Sequence, residues 1–167
     1  MCSSDLQAAD LVARKLMQNG GAGFGAYVKE ISDFTDAHGK DHGLAAEVRA
    51  LAAASTALQA AAGQLMDFFT NGNVDQVMLV ANSFLEMMAE VTIAHLLLEA
   101  AVIADKRRSE PDEDLTAEDF AFYGGKIAAA KHYANYVLPG VHAKLAAMQS
   151  ADRSVLDLPD AGFSTAH

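Results

Sequence analysis

Apolar residues along this chain recur every three and four positions, and nowhere do they alternate with polar ones for long enough to make a strand. The clearest run is Leu44, Val48, Leu51, Ser55, Leu58, Ala62, Leu65 and Phe69. Spacings of four and three, held without a slip, put all eight on one side of a helix, the side that packs lengthwise on its neighbours. Asn71-Gly72-Asn73 closes that helix and opens the next, with Asn73 at the N-cap and Asp75 in the first turn, where an acid meets the positive end of the helix dipole. A second seam follows at Val77, Ala81, Phe84, Met88, Val91, His95, Leu98 and Val102. So short a connection makes the two helices antiparallel neighbours, a long central hairpin. Leu85, Ile93, Leu96, Leu97 and Ile103 make the second half of the later helix, which continues to about Lys106, apolar almost all round. That predicts a place in the middle of a bundle.

Shorter helices flank the hairpin. One is predicted over residues 5–18, stopping at Asn19-Gly20-Gly21, where glycine takes the left-handed cap. Another covers 24–37, with Tyr27, Val28, Ile31 and Phe34 on one face; Gly39 and Gly43 then bracket a polar turn of Lys40, Asp41 and His42. Residues 107–115, charged and holding Pro111, read as an exposed loop. Thr116 is an N-cap with Glu118 and Asp119 behind it. The fifth helix runs from there to about Met148, kinked at Leu138-Pro139-Gly140, because proline removes one backbone hydrogen bond. In the tail, residues 151–167, Leu156, Leu158 and Phe163 are the anchors on offer. The fold class is all-α, an antiparallel bundle of about five helices without internal repeats.

Composition narrows the partners. The chain has 167 residues, 51% of them hydrophobic and many of those alanine, with no Trp and three Pro, which suits a single helical core. Its formal charge is −10, from 22 acidic against 12 basic residues, and the Lys and Arg are scattered. Phosphate backbones are repelled by such a surface, so no nucleic-acid partner is expected, and an anionic membrane is disfavoured for the same reason. The most apolar run, residues 93–104, holds Glu99 and is shorter than the roughly 20 residues a spanning helix needs. The lone Cys2 has no partner for an internal disulfide, and the first residues lack both the basic and the apolar region of a signal peptide. Both suit a cytoplasmic protein.

Helical bundles often carry metal. A di-iron site needs Glu-x-x-His on two helices, and no acid here has His three residues later. Glu86 and Glu90 are one turn apart, but His95 lies five beyond Glu90, so the pair reads as a solvated acidic stripe. His95, between Ala94 and Leu96 on an apolar seam, reads as a buried neutral histidine bonded to a neighbouring helix rather than a phosphoacceptor. His38, His42, His132 and His142 fall in turns or on polar faces without ligand spacing. Gly20-Gly21-x-Gly23-x-Gly25 follows a helix rather than a strand, so it is a flexible connection and not a dinucleotide fingerprint. Met17, Met66, Met78, Met87, Met88 and Met148 read as core filler. No catalytic, cofactor-binding or metal-ligating residue is assigned on this chain. Pattern alone stops at a soluble bundle.

Three segments together resemble the acyl-CoA dehydrogenase family. Gln7 followed by Asp10-Leu11-Val12-Ala13-Arg14-Lys15-Leu16 is similar to the helix entered just after that family's catalytic loop. Phe122-Tyr123-x-x-Lys126, then Tyr133 and Leu138-Pro139, resembles the last helix of an extra C-terminal domain in a longer branch, the 3-methylmercaptopropionyl-CoA dehydrogenases among them. Asp157-Leu158-Pro159 followed by Phe163 matches how such chains often finish.

The resemblance implies a parent enzyme that oxidises acyl-CoA to 2,3-enoyl-CoA with FAD, and a homo-oligomer in which this part packs subunits and covers the catalytic domain. The family's catalytic glutamate lies in Tyr-Glu-Gly-Thr-x-x-Ile-Gln. Aligning its last residue on Gln7 sets the glutamate on Met1, and Met1-Cys2-Ser3-Ser4-Asp5 carries neither the acid nor the Gly-Thr. No catalytic or flavin-binding residue carries over. Cys-Ser-Ser-Asp-Leu is also what a widely used sequencing adapter encodes in one frame, so residues 1–6 are expected to be non-native on a truncated frame; the alternative is an ordinary N-terminus with Ser4 or Asp5 capping the first helix. The division implied is 1–18, a helix continuing from a missing catalytic domain; 19–150, the bundle; and 151–167, the tail. Leu11, Val12 and Leu16 would then face an absent partner and be less buried than the hairpin seams. The competing reading is a free-standing helical adaptor that belongs to no enzyme.

Overall fold

The computed structural model describes residues 3–40, 43–111 and 114–163. Met1, Cys2, the turn residues Asp41 and His42, residues 112 and 113, and the last four lie outside the described residues. Among the described residues all regular structure is helical: α1 (Ser3–Asp10), α2 (Ala22–His38), α3 (Ala45–Thr70), α4 (Val74–Ser109), α5 (Ala117–Tyr136) and α6 (Pro139–Gln149).

The central hairpin is α3 against α4. Seven of the eight α3 seam positions are buried, with Leu51, Leu58 and Leu65 fully so; Phe69 is half-buried while Phe68 takes the core position. On α4, Val77, Ala81, Phe84, Val91, His95 and Leu98 are buried, and Met87 replaces Met88 as the enclosed methionine. Gly72 sits at φ +76 in the connecting turn, a left-handed conformation in which glycine avoids the Cβ penalty. Asn73 occupies the N-cap without a side-chain bond; Asp75 instead accepts from the Gln76 amide at 2.9 Å.

Three differences from the sequence expectation have physical causes. First, α1 docks on α4, where Asn82 donates to Asp5 at 2.8 Å, so Val12 (0%) and Leu16 (5%) are as enclosed as the hairpin seams. The expected exposure of this segment does not occur; only Leu11 is partly open. Past Asp10 the helix widens by one residue, the Leu16 amide reaching Leu11 O at 2.8 Å, before Asn19, Gly20 and Gly21 turn the chain through left-handed backbone. Second, the interruption falls at Leu138-Pro139-Gly140 as expected, but it is a full break between α5 and α6 rather than a kink. Around Pro139 the amides of Val137 and Leu138 both reach Tyr133 O, and Gly140 and Val141 form tight three-residue turns into α6. Third, the tail is not held by its apolar residues: Leu158 is 42% and Phe163 67% exposed, and Leu156 is half-buried. Arg153 on Asp75 (2.8 Å) and Gln76 on the Ala151 carbonyl (2.9 Å) hold it, two contacts across about half the chain that spacing could not reveal.

Thr116 caps α5 as predicted, with a reciprocal box: its hydroxyl oxygen accepts from the Asp119 amide, and the Asp119 carboxylate accepts from the Thr116 amide and hydroxyl. These bonds hold the Asp119 carboxyl below its ordinary pKa.

Candidate functional site

A partly buried charged cluster lies between α4 and α6. The break at Pro139 brings Lys144 alongside α4, 2.6 Å from Glu90 Oε1 and 3.6 Å from Glu86 Oε2. A Cβ at Gly140 would make only ordinary contacts, 3.7 Å to the Lys144 ammonium and 3.9 Å to Glu90 Oε2, so the pair does not depend on glycine there. Glu86 is solvated as the sequence suggested, but Glu90 is not: its side chain is 20% exposed and its Oε2 is buried without a hydrogen bond. Burial alone would lower the Lys144 pKa, and the hydrogen bond and charge of Glu90, with Glu86 adding, outweigh it and hold it above the ordinary lysine value. Tyr133 beside them is pushed up, first by burial and then by the Glu90 charge. An ammonium kept protonated between two carboxylates is a clamp; a nucleophilic or basic lysine requires the opposite shift.

His95 is buried at 4% exposure, as its seam position predicted. Its contact with the neighbouring helix is the Phe34 ring, edge-on at 5.0 Å, not a hydrogen bond. Nε2 has no hydrogen-bond partner and lies 3.6 Å from Glu99 Oε1. Phe34 also lies against His38, the rings tilted at 4.8 Å. His132 stacks on Tyr136 at 4.7 Å. Tyr27 ties α2 to α4 through Thr92 Oγ1 at 2.9 Å, and burial raises its pKa. Among the described residues no group of three His, Cys, Asp or Glu is placed to hold a metal ion.

Concavities are small. One of about 320 Å³ lies between Met17, Gly21, Phe24, Gly63 and Met66, so the glycine-rich connection lines an apolar groove. Another, about 210 Å³, lies between the start of α4 and the end of α6, with Gln76, Val80 and Met148. The first has no polar side chain in its lining, whereas Gln76, Ser83, Ser150 and Asp152 border the second. What the fold does display is apolar surface. On α4, Met78, Ile93, Leu96 and Ile103 are 41–63% exposed, although the helix touches α1, α3, α5 and α6. Being apolar all round, it was expected to be enclosed; its outer face is instead open. By length and composition α4 could also span a membrane, but its inner face is built into the bundle core.

Residues 27–159 match the family described as acetyl-CoA dehydrogenase C-terminal like. The chain belongs to that family. Among its relatives, a butyryl-CoA dehydrogenase of Syntrophomonas wolfei is 33% identical over 95% of this chain and 25% of its own length. A broad-specificity linear acyl-CoA dehydrogenase of Mycobacterium tuberculosis is 26% identical over 95% of this chain and 26% of its own. This C-terminal-like chain therefore spans about a quarter of the length of the curated relatives it matches. Within the family segment, Phe122 is exposed under the Lys126 ammonium (5.2 Å), Tyr133 borders the Glu90–Lys144 pair, and Leu138 is buried at the helix break.

Proposed function

We propose that this chain is the C-terminal helical part of a longer, FAD-dependent acyl-CoA dehydrogenase of the 3-methylmercaptopropionyl-CoA dehydrogenase-like branch. Its role is assembly: it packs subunits of a cytoplasmic homo-oligomer and covers the catalytic domain, while oxidation of acyl-CoA to 2,3-enoyl-CoA takes place upstream. In this reading residues 1–18 continue out of the catalytic domain, 19–150 form the family's bundle and 151–167 close it. The observation that carries it is the alignment along 95% of this chain with one quarter of two enzymes named acyl-CoA or butyryl-CoA dehydrogenases.

Among the described residues no built site for a flavin is gathered. The buried polar atoms without partners among them, Glu90 Oε2 and His95 Nε2, belong to residues that line neither of the two concavities. FAD therefore belongs to the upstream part of the parent enzyme.

A second reading, the free-standing adaptor, is favoured by one observation: α1 and the turn after it bury Ala8, Val12 and Leu16 on the bundle itself, so the chain satisfies its own N-terminal helix. The coding sequence upstream of Gln7 separates the two. The dehydrogenase reading expects an in-frame stretch with Tyr-Glu-Gly-Thr just before it; an upstream stop codon with no such stretch in any frame would favour the adaptor.

A further inference from the structure

The chain contains two Asn-Gly pairs, Asn19-Gly20 and Asn71-Gly72, both in exposed turns between helices. An asparagine followed by glycine readily loses its side-chain amide, because glycine has no Cβ to hinder attack by its own backbone nitrogen. Attack requires the asparagine Cγ to swing onto that nitrogen. Hydrogen bonds that hold either group therefore slow it.

The two turns are held differently. Asn71 ends α3 under a double tether: its Nδ2 and its backbone amide both donate to the Asp67 carbonyl, at 2.8 and 3.0 Å. The Gly72 and Asn73 amides donate to the Phe69 and Phe68 carbonyls, at 3.1 and 2.9 Å, and Phe68 is buried in the core. Freeing Asn71 means unwinding the end of α3 within the central hairpin. The Asn19 side chain is exposed and makes no hydrogen bond among the described residues. Its turn is closed by tight three-residue bonds, Gly20 N to Met17 O at 3.1 Å and Ala22 N to Asn19 O among them. Asn19 sits at φ +53, ahead of Gly20 at +68 and Gly21 at +80, in left-handed backbone that disfavours any residue with a Cβ. Such a turn opens locally, without the rest of the bundle.

We propose that Asn19 is a site of spontaneous modification, deamidated through a succinimide with water as the co-reactant. The Gly20 nitrogen bonds to Asn19 Cγ and gives up its proton; the bond from Cγ to Nδ2 breaks, and ammonia leaves. Water then adds at one of the two ring carbonyls, and the ring C–N bond on that side breaks. Opening at Cγ leaves aspartate. Opening at the α-carbonyl leaves isoaspartate, whose chain runs through Cβ and Cγ and is one backbone atom longer. The carbonyl that accepts from Ala22 N becomes a free carboxylate. This longer link falls between Leu16 and Phe24, which line one groove with Gly20 and Gly21, so isoaspartate at residue 19 loosens residues 8–16 from α4.

The test follows the full chain in mildly alkaline buffer, with the peptides carrying Asn19 and Asn71 read by mass spectrometry and isoaspartate identified by its own fragment ions. Asn19 is expected to convert at least about tenfold faster than Asn71 in the folded protein. The two rates should come together in concentrated guanidinium chloride, where neither turn survives. Aged protein should exchange amide hydrogens faster over residues 8–16 than fresh protein. Fresh Asn19→Asp, which carries the charge without the added backbone atom, should match fresh wild type. Asn71 converting as fast as Asn19 in the folded chain, or a rate difference that persists unchanged in denaturant, would overturn the proposal. So would exchange over residues 8–16 that ignores isoaspartate, or fresh Asn19→Asp as loosened as the aged protein.

Discussion

Leu98→Asp and Leu58→Asp are each expected to lower the unfolding free energy by about 4 kcal/mol or more, a large share of the roughly 5–15 kcal/mol that folded domains possess. Both side chains lie on the seams by which α3 and α4 face each other, with 0% exposure at Leu58 and 1% at Leu98. A carboxylate at either point enters a layer of Val, Leu and Ala with no cation to meet it, and water cannot follow without parting the hairpin. Leu96→Asp, two residues from Leu98 but on the outer face, serves as the control and should leave the monomer's stability within about 0.5 kcal/mol. Urea denaturation of the three variants checks the pattern; equal losses at Leu98 and Leu96 would mean that the two faces of α4 have been misassigned.

Lys144→Met should cost about 2 kcal/mol, because it strands Glu90, one of whose oxygens is already buried without a partner. The figure sits below that for a fully buried pair, since both side chains keep about a fifth of their surface in water. Lys144→Met with Glu90→Met should recover to within about 1 kcal/mol of wild type, as apolar replacements of a buried pair generally do. The sign of the pH dependence follows from the raised lysine. Its stabilising contribution is fully present below the ordinary value of 10.5, including neutral pH, and is lost as pH rises through the higher folded value. Denaturation of wild type and single variant at pH 7 and in strong alkali reads this out as a gap that narrows on the alkaline side.

The α-helical hairpin was legible because its information is local. Each seam repeats every three or four residues, and the turn between them contains a glycine that the backbone needs in left-handed conformation at Gly72. Thr116 was legible for the same reason, since its capping partner Asp119 is three residues away. The charged clamp was not. Lys144 and Glu90 are 54 positions apart on helices whose relative placement depends on the break at Pro139, so Glu90 looked like one more solvated acid. The tail failed likewise, because its apolar residues are conspicuous in sequence while Arg153 and Gln76 do the holding.

The outer face of α4 was visible and misjudged. Its apolar positions suggested a helix enclosed on all sides, whereas an apolar stripe opposite the core seam can equally await a partner outside the fold. The N-terminal helix erred the other way: its apolar face, expected to be left open, is covered by α4 within the same chain.

If the proposed assembly role holds, the chain should hold no flavin and turn over no substrate, and both can be read on the purified protein. The protein is expected to be colourless, with no flavin absorbance after incubation with FAD and gel filtration, and to reduce no artificial electron acceptor with butyryl-CoA. A yellow protein with bound FAD, or measurable oxidation of the thioester, would contradict the assembly role.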